Sequence, residues 1–217
     1  FSRELSKDFE VDSLGISCDI TSESSVKKSI EEISSKFKTI DILHNNAQGQ
    51  TVAVPFEDCT LEDWRLTSSV NEEGYFLMAQ AVGKKMIAQG SGGSIIQTSS
   101  IYGILGPDHR IYKGATLDGK QMGTRAVYSF SKAGVVGLTK YLATYWADKK
   151  IRVNTLTPGG VENGQSDQFI KQYSERVPLG KMANKDDMVG ALIFLASDAS
   201  SYVTGQNIIV DGGLEAW

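Results

Sequence analysis

Gly92-Gly93-Ser94-Ile95-Ile96-Gln97-Thr98-Ser99-Ser100 is the stretch whose reading decides the fold. Glycines break whatever precedes it, a short uncharged run with two adjacent isoleucines follows, and two serines end it. The run is too short for a helix and lacks the polar alternation of a strand with one wet face. Ser94–Thr98 therefore reads as a strand buried on both faces, as in a parallel sheet.

Working outward, the same signature recurs at Ser13–Cys18, Ile40–His44, Ile151–Leu156 and Ile208–Val210. Helices separate these strands. Val26, Ile30, Ile33 and Phe37 repeat at helical spacing over Glu23–Phe37. Thr60-Leu61-Glu62-Asp63 has the form of a helix start, and the helix runs to about Gln89. Further helices cover Ala126–Asp148 and Asn184–Leu195. The alternation predicts an α/β fold, a doubly wound parallel sheet in a single domain.

Composition agrees. The 217 residues are 41% hydrophobic and 22% charged, the proportions of one globular domain, and the net charge of −4 comes with scattered basic residues. No basic stripe calls for nucleic acid, so a small molecule is the expected partner. Cys18 and Cys59 form neither a disulfide framework nor, with His44 and His109, a metal-like cluster. No apolar run approaches the roughly 20 residues of a membrane span. A cytoplasmic protein is expected.

Doubly wound sheets bind ligands beyond the carboxyl ends of their strands. Those positions read Asp19, Asn45-Asn46, Ser99-Ser100 and Pro158-Gly159. In Tyr128-Ser129-Phe130-Ser131-Lys132 a spacing of four puts an ammonium on the same helix face as a phenol. A tyrosine titrates near 10 when free, and lowering that by about 3 units for acid–base work takes roughly 4 kcal/mol, within reach of a partly desolvated Tyr–Lys pair helped by the positive nicotinamide ring of a cofactor. Tyr145 and Lys149 repeat the spacing, but Tyr145 sits beside Trp146 near a helix end and is assigned to packing. Tyr128 lies among Ser129, Ser131, Ala133 and Gly134, where ligands have room.

From Ser13 to Gly213 the chain resembles the classical short-chain dehydrogenase/reductases. Cys18-Asp19-Ile20-Thr21 resembles their adenine-contacting segment, Asn45-Asn46-Ala47 their Asn-Asn-Ala-Gly turn, Val70-Asn71 their helix asparagine, and Thr98-Ser99-Ser100 their serine. Tyr128 with Lys132, Arg152-Val153-Asn154, Pro158-Gly159, Thr204-Gly205-Gln206 and Val210-Asp211-Gly212-Gly213 follow in order.

The resemblance implies an NAD- or NADP-dependent enzyme interconverting a secondary alcohol and a ketone by hydride transfer. It makes Asn71, Ser100, Tyr128 and Lys132 catalytic: Tyr128 passes the proton, Lys132 binds the nicotinamide ribose and tunes Tyr128, Ser100 bonds the substrate oxygen, and Asn71 holds a relay water. It assigns cofactor contacts to Asp19, Ile20, Asn46, Ala47, Tyr128, Lys132, Pro158, Gly159, Val161 and Asn163. It also implies a homodimer or homotetramer, paired through the two long helices.

Several positions depart from the family pattern. The family's opening strand and glycine-rich pyrophosphate turn do not precede Ser13, so the chain is expected to be an N-terminally incomplete piece of a longer protein. Gln48 stands where the turn usually has glycine, and Asn163 where a threonine is usual. The interval from Ser100 to Tyr128 is long, which makes residues 104–124 a substrate loop. Its His109, Arg110, Tyr112 and Lys113 favour a polar or anionic substrate, a sugar or sugar nucleotide, with His109 and Arg110 as contacts. A 3-oxoacyl-thioester reductase is the alternative enzyme, and a catalytically silent scaffold the alternative of another class. Gly114–Lys120 imitates a phosphate-binding loop but lacks its Ser/Thr and its preceding strand. No metal is expected.

Overall fold

Ile95 and Ile96 face opposite sides of one strand, and both are wholly buried. That single pair requires a layer of helices on each face. The computed structural model describes residues 2–49, 55–117 and 120–217. Its strands are β1 (Ile42–Asn45), β2 (Gly93–Thr98), β3 (Thr116–Leu117), β4 (Lys120–Gln121), β5 (Ile151–Pro158) and β6 (Asn207–Val210). Its α-helices are α1 (Ser2–Phe9), α2 (Glu23–Lys36), α3 (Leu61–Ser68), α4 (Tyr75–Gln89), α5 (Ala126–Tyr145), α6 (Asp167–Ser174) and α7 (Val189–Ala196).

Four strands form an all-parallel sheet in the order β1-β2-β5-β6. On one face Ile95, Ile151 and Val153 meet Ala79, Val82 and Met86 of α4 and Leu142 and Ala143 of α5, together with Trp146. On the other, Ile96 and Leu156 meet Leu195 of α7, with Ala191, Leu192, Ile208 and Val210 packed around them. Each such side chain contributes about 1.5–3 kcal/mol by leaving water. A Cβ on Gly83 would lie 2.4 Å from the Trp146 ring, so glycine there sets how closely α4 approaches the end of α5.

The helix starts follow the sequence. Ser22 caps α2, and reciprocal Thr60–Asp63 and Asn184–Asp187 pairs open α3 and the turn leading into α7. One long helix was expected from Thr60 to Gln89. Instead α3 and α4 are joined by a π-helical turn at Ser69–Gly74.

Ser13–Cys18 is not a strand. It belongs to neither sheet, and a strand exists only where a neighbour completes its ladder. The expected loop holds the short antiparallel pair β3–β4, and α6 is an unforeseen helix after β5. Among the described residues, no helix is long and apolar enough to cross a membrane.

Candidate active site

The last carbonyl of β2 is the hub. Thr98 O accepts from the Tyr75 hydroxyl at 3.1 Å and from Lys132 Nζ at 2.9 Å. Next along, Ser99 Oγ donates to Lys132 O at 2.7 Å and fastens α5 to the strand end. The turn Ile101–Gly103 then crosses α5 so closely that a Cβ on Gly103 would lie 2.7 Å from the Lys132 carbonyl carbon. These contacts bring Ser100, Tyr128 and Lys132 together, although they come from two separate elements.

Lys132 is 1% exposed, and burial pulls its ammonium down to about 8. Its Nζ lies 5.3 Å from the centre of the Tyr75 ring and 5.8 Å from that of Tyr128. Burial raises the Tyr128 phenol, and a hydrogen bond with Ser100 offsets part of that rise. Without the positive ring of a cofactor, the chain's own groups leave the phenol above its ordinary value. Ser100 Oγ accepts the Tyr102 N–H at 3.2 Å, which fixes it facing Tyr128.

Asn71 sits on the π turn, fully buried. Its Oδ1 accepts the Gly49 N–H at 2.9 Å, and its Nδ2 donates to Ser131 Oγ at 3.0 Å; Ser131 in turn donates to the Tyr128 carbonyl. The side chain thus clamps the segment after β1 to α5. Its amide is engaged by protein on both sides.

The remaining sequence candidates lie at the same end of the sheet. Asp19 Oδ1 accepts both the N–H and the hydroxyl of Thr21, and these bonds hold the carboxyl below its ordinary value. Ile20 rests on the π turn, its Cδ1 only 2.6 Å from where a Gly74 Cβ would be. Asn46 and Ala47 are exposed just beyond β1. Pro158 ends β5, and Gly159 N–H donates to Val210 O at 2.9 Å. Val161 bridges to Ala183, while exposed Asn163 donates its N–H to Gln165 Oε1 at 2.6 Å.

A cleft of about 260 Å³ opens above Ser100 and Tyr128, lined also by Tyr102, Tyr112, Gln165 and Tyr173. Sequence reasoning missed Tyr102 and Tyr173. Tyr102 lies only two residues beyond Ser100, and Phe169, Ile170 and Tyr173 carry a helical period that would have revealed α6. An adjoining cleft of about 640 Å³ shares Tyr112, Met122, Gly123 and Thr124, and His109 faces that one. Arg110 reaches neither. Its side chain is 86% exposed and forked onto Asp108 at 2.8 Å, and Asp108 also binds Arg176. Tyr145 stacks on Tyr141 at 5.6 Å, far from this chemistry in kind, and Lys149 pairs with Asp148.

The donor set fits a nicotinamide dinucleotide. A buried ammonium has three donors, and among the described residues Lys132 gives one to protein, which leaves two for ribose hydroxyls. The Tyr128 hydroxyl lines the cleft beside it, and both Thr21 bonds go to Asp19 Oδ1, leaving Oδ2 for a ligand hydroxyl or amine. No group of three His, Cys, Asp or Glu able to hold a metal occurs among the described residues.

Comparison with known proteins agrees. Residues 2–215 match a family described as enoyl-(acyl carrier protein) reductase. D-threitol dehydrogenase of Mycolicibacterium smegmatis is 34% identical over 92% of this chain and 72% of its own length. The 3-oxoacyl-(acyl-carrier-protein) reductase of Thermotoga maritima is 37% identical over 90% of this chain and 74% of its own. The chain belongs to the short-chain dehydrogenase/reductase family. Two solved members overlay closely. A short-chain dehydrogenase from Leptospira borgpetersenii, with bound NAD+, has 40% identity and a TM-score of 0.84, covering 92% of this chain and 74% of that one. A gluconate 5-dehydrogenase from Burkholderia cenocepacia, in complex with NADP and tartrate, has 32% identity and a TM-score of 0.86, covering 100% and 80%. This short-chain dehydrogenase/reductase is an NAD(P)-dependent oxidoreductase on a Rossmann-like sheet.

Proposed function

We propose that this dehydrogenase interconverts a secondary alcohol and a ketone on a sugar or polyol, with Tyr128 as the general acid/base. The observation that carries the reading is that Ser100 and Tyr128 line one cleft, with Lys132 buried beside them and bonded to the last carbonyl of β2. In the oxidative direction Tyr128 accepts the proton of the substrate hydroxyl, and Ser100 donates to the oxygen as it becomes a carbonyl. A nicotinamide dinucleotide held here would supply the hydride chemistry in either direction, exchanging hydride with the carbinol carbon as Tyr128 exchanges the proton. Lys132 holds the cofactor ribose and keeps a positive charge near the phenol, and Asn71 keeps α5 in register with the segment after β1. Asp19, Ile20, Asn46, Ala47, Pro158, Gly159, Val161 and Asn163 line the cofactor's path.

NAD(P)+-linked oxidation of C4 to C6 polyols, followed at 340 nm, tests the reading. Turnover that survives Tyr128→Phe undiminished refutes it. Reduction of a 3-oxoacyl thioester is the second reading, supported by the mainly apolar lining of the adjoining cleft, which includes Pro55, Phe56 and Met122. Assay of both classes on one preparation separates them. Residues 104–124 are the substrate loop in either case.

A homodimer or homotetramer through α4 and α5 is part of the proposal. Phe76, Ile87, Tyr141 and Tyr145 leave 39–64% of their surface exposed around one apolar groove between these helices. The two free cysteines, Cys18 and Cys59, accord with a cytoplasmic location.

A further inference from the structure

We infer that the reaction cleft selects uncharged polyhydroxy substrates over sugar acids, and that the paired hydroxyls of Tyr102 and Tyr112 are its specificity-determining element. This rests on the oxidoreductase reading above and narrows its substrate class.

The cleft that holds Ser100 and Tyr128 has no charged side chain among its described lining residues. The cations around it stand outside its described lining. Arg110 and Arg176 converge on the single carboxylate of Asp108, Arg125 pairs with Asp63 at 3.5 Å, and His109 faces the neighbouring space. Lys132 lies beneath the floor, bonded to Thr98 O. A carboxylate entering such a cleft loses water without gaining a cation, and enclosed anions are tolerated only when paired.

What the cleft offers instead is hydroxyl chemistry, from Ser100, Tyr102, Tyr112, Thr124, Tyr128 and Tyr173. The Tyr112 hydroxyl donates to Tyr102 at 3.0 Å, so the proton of Tyr102 is available to a substrate oxygen. Burial raises both phenols, so both stay protonated and neutral at physiological pH. A donor of this kind, in a space of about 260 Å³, suits one hydroxyl of a small polyol or ketose. Of the polar or anionic substrate that Arg110 and His109 suggested, this inference takes the polar half. Arg110 is turned onto Asp108, and the loop delivers tyrosine to the cleft in its place.

Steady-state kinetics with saturating cofactor test this on threitol, arabinitol and xylitol against gluconate and 2-dehydro-3-deoxygluconate. The best neutral substrate is expected to exceed the best acid by about 100-fold or more in kcat/KM. Tyr102→Phe is expected to raise KM for the polyol about tenfold while kcat and the cofactor KM stay within about threefold, a split that a merely structural residue would not give. An acid used within tenfold of the best polyol overturns the inference and leaves the oxidoreductase reading standing. An unchanged polyol KM in Tyr102→Phe overturns the role of the tyrosine pair. Failure to turn over any alcohol, ketone or thioester overturns the parent reading and this one with it.

Discussion

Replacing Lys132 by methionine should stabilise the protein while abolishing turnover. Lys132 is 1% exposed, and its ammonium is drawn from 10.5 to about 8 by desolvation. At 1.36 kcal/mol per unit, keeping that charge inside costs roughly 3 kcal/mol at neutral pH. Methionine fills nearly the same volume without a charge. At 2–4 °C per kcal/mol for a chain of this size, the melting temperature should rise by roughly 6–12 °C at pH 7.

The pH dependence gives the prediction its signature. Because the folded value lies below the unfolded one, the native state holds fewer protons than the unfolded state between about pH 8 and 10.5. The destabilisation is thus fully present below pH 8 and fades as pH rises through that window. Thermal melts of both proteins from pH 7 to 10.5 should show a gap that closes toward the alkaline end. A variant less stable than the parent at pH 7, or a gap that ignores pH, would refute the reasoning. Such a result would mean that the Thr98 bond and the Tyr75 ring repay the burial of the charge.

Other substitutions separate chemistry from architecture. Tyr128→Phe should cut kcat by about 10²–10⁴ with little change in melting temperature, since the hydroxyl faces the cleft beside Ser100. Asn71→Ala leaves the buried Gly49 N–H without its acceptor and Ser131 Oγ without one of its two partners, and should cost about 1–3 kcal/mol, measured by urea unfolding. Gly83→Ala drives a methyl into the Trp146 ring and should cost about 1–3 kcal/mol, with the catalytic constants of the folded enzyme unchanged.

Ser100, Tyr128 and Lys132 were legible as candidates because they lie at a strand end or one helical turn apart, whereas Asn71 was named through the family resemblance. Ser100 follows a buried apolar run, and Lys132 follows Tyr128 by four. Contacts between distant segments were not legible. Nothing near Arg110 announces that Arg176, far along the chain, shares its carboxylate partner. Ser13–Cys18 has strand composition, but pairing decides a strand and composition cannot supply the neighbour. The depth at which the Tyr128 phenol is buried was not legible either, since spacing reveals the cation but not the desolvation around it.

The π turn at Ser69–Gly74 has a further consequence for how this protein tolerates change in length. An α-helix advances about 100° per residue, so one extra residue within a turn shifts the phase of everything on one side of it relative to the other. The side of α3 that meets α5 and the side of α4 that meets the sheet are thereby set independently. Deleting a single residue between Ser69 and Gly74 would rotate α3 by about a quarter-turn and carry Asn71 away from Gly49, while a substitution there would leave the phase intact. The segment is therefore a place where a change of length does what no substitution does, turning one helix against the other.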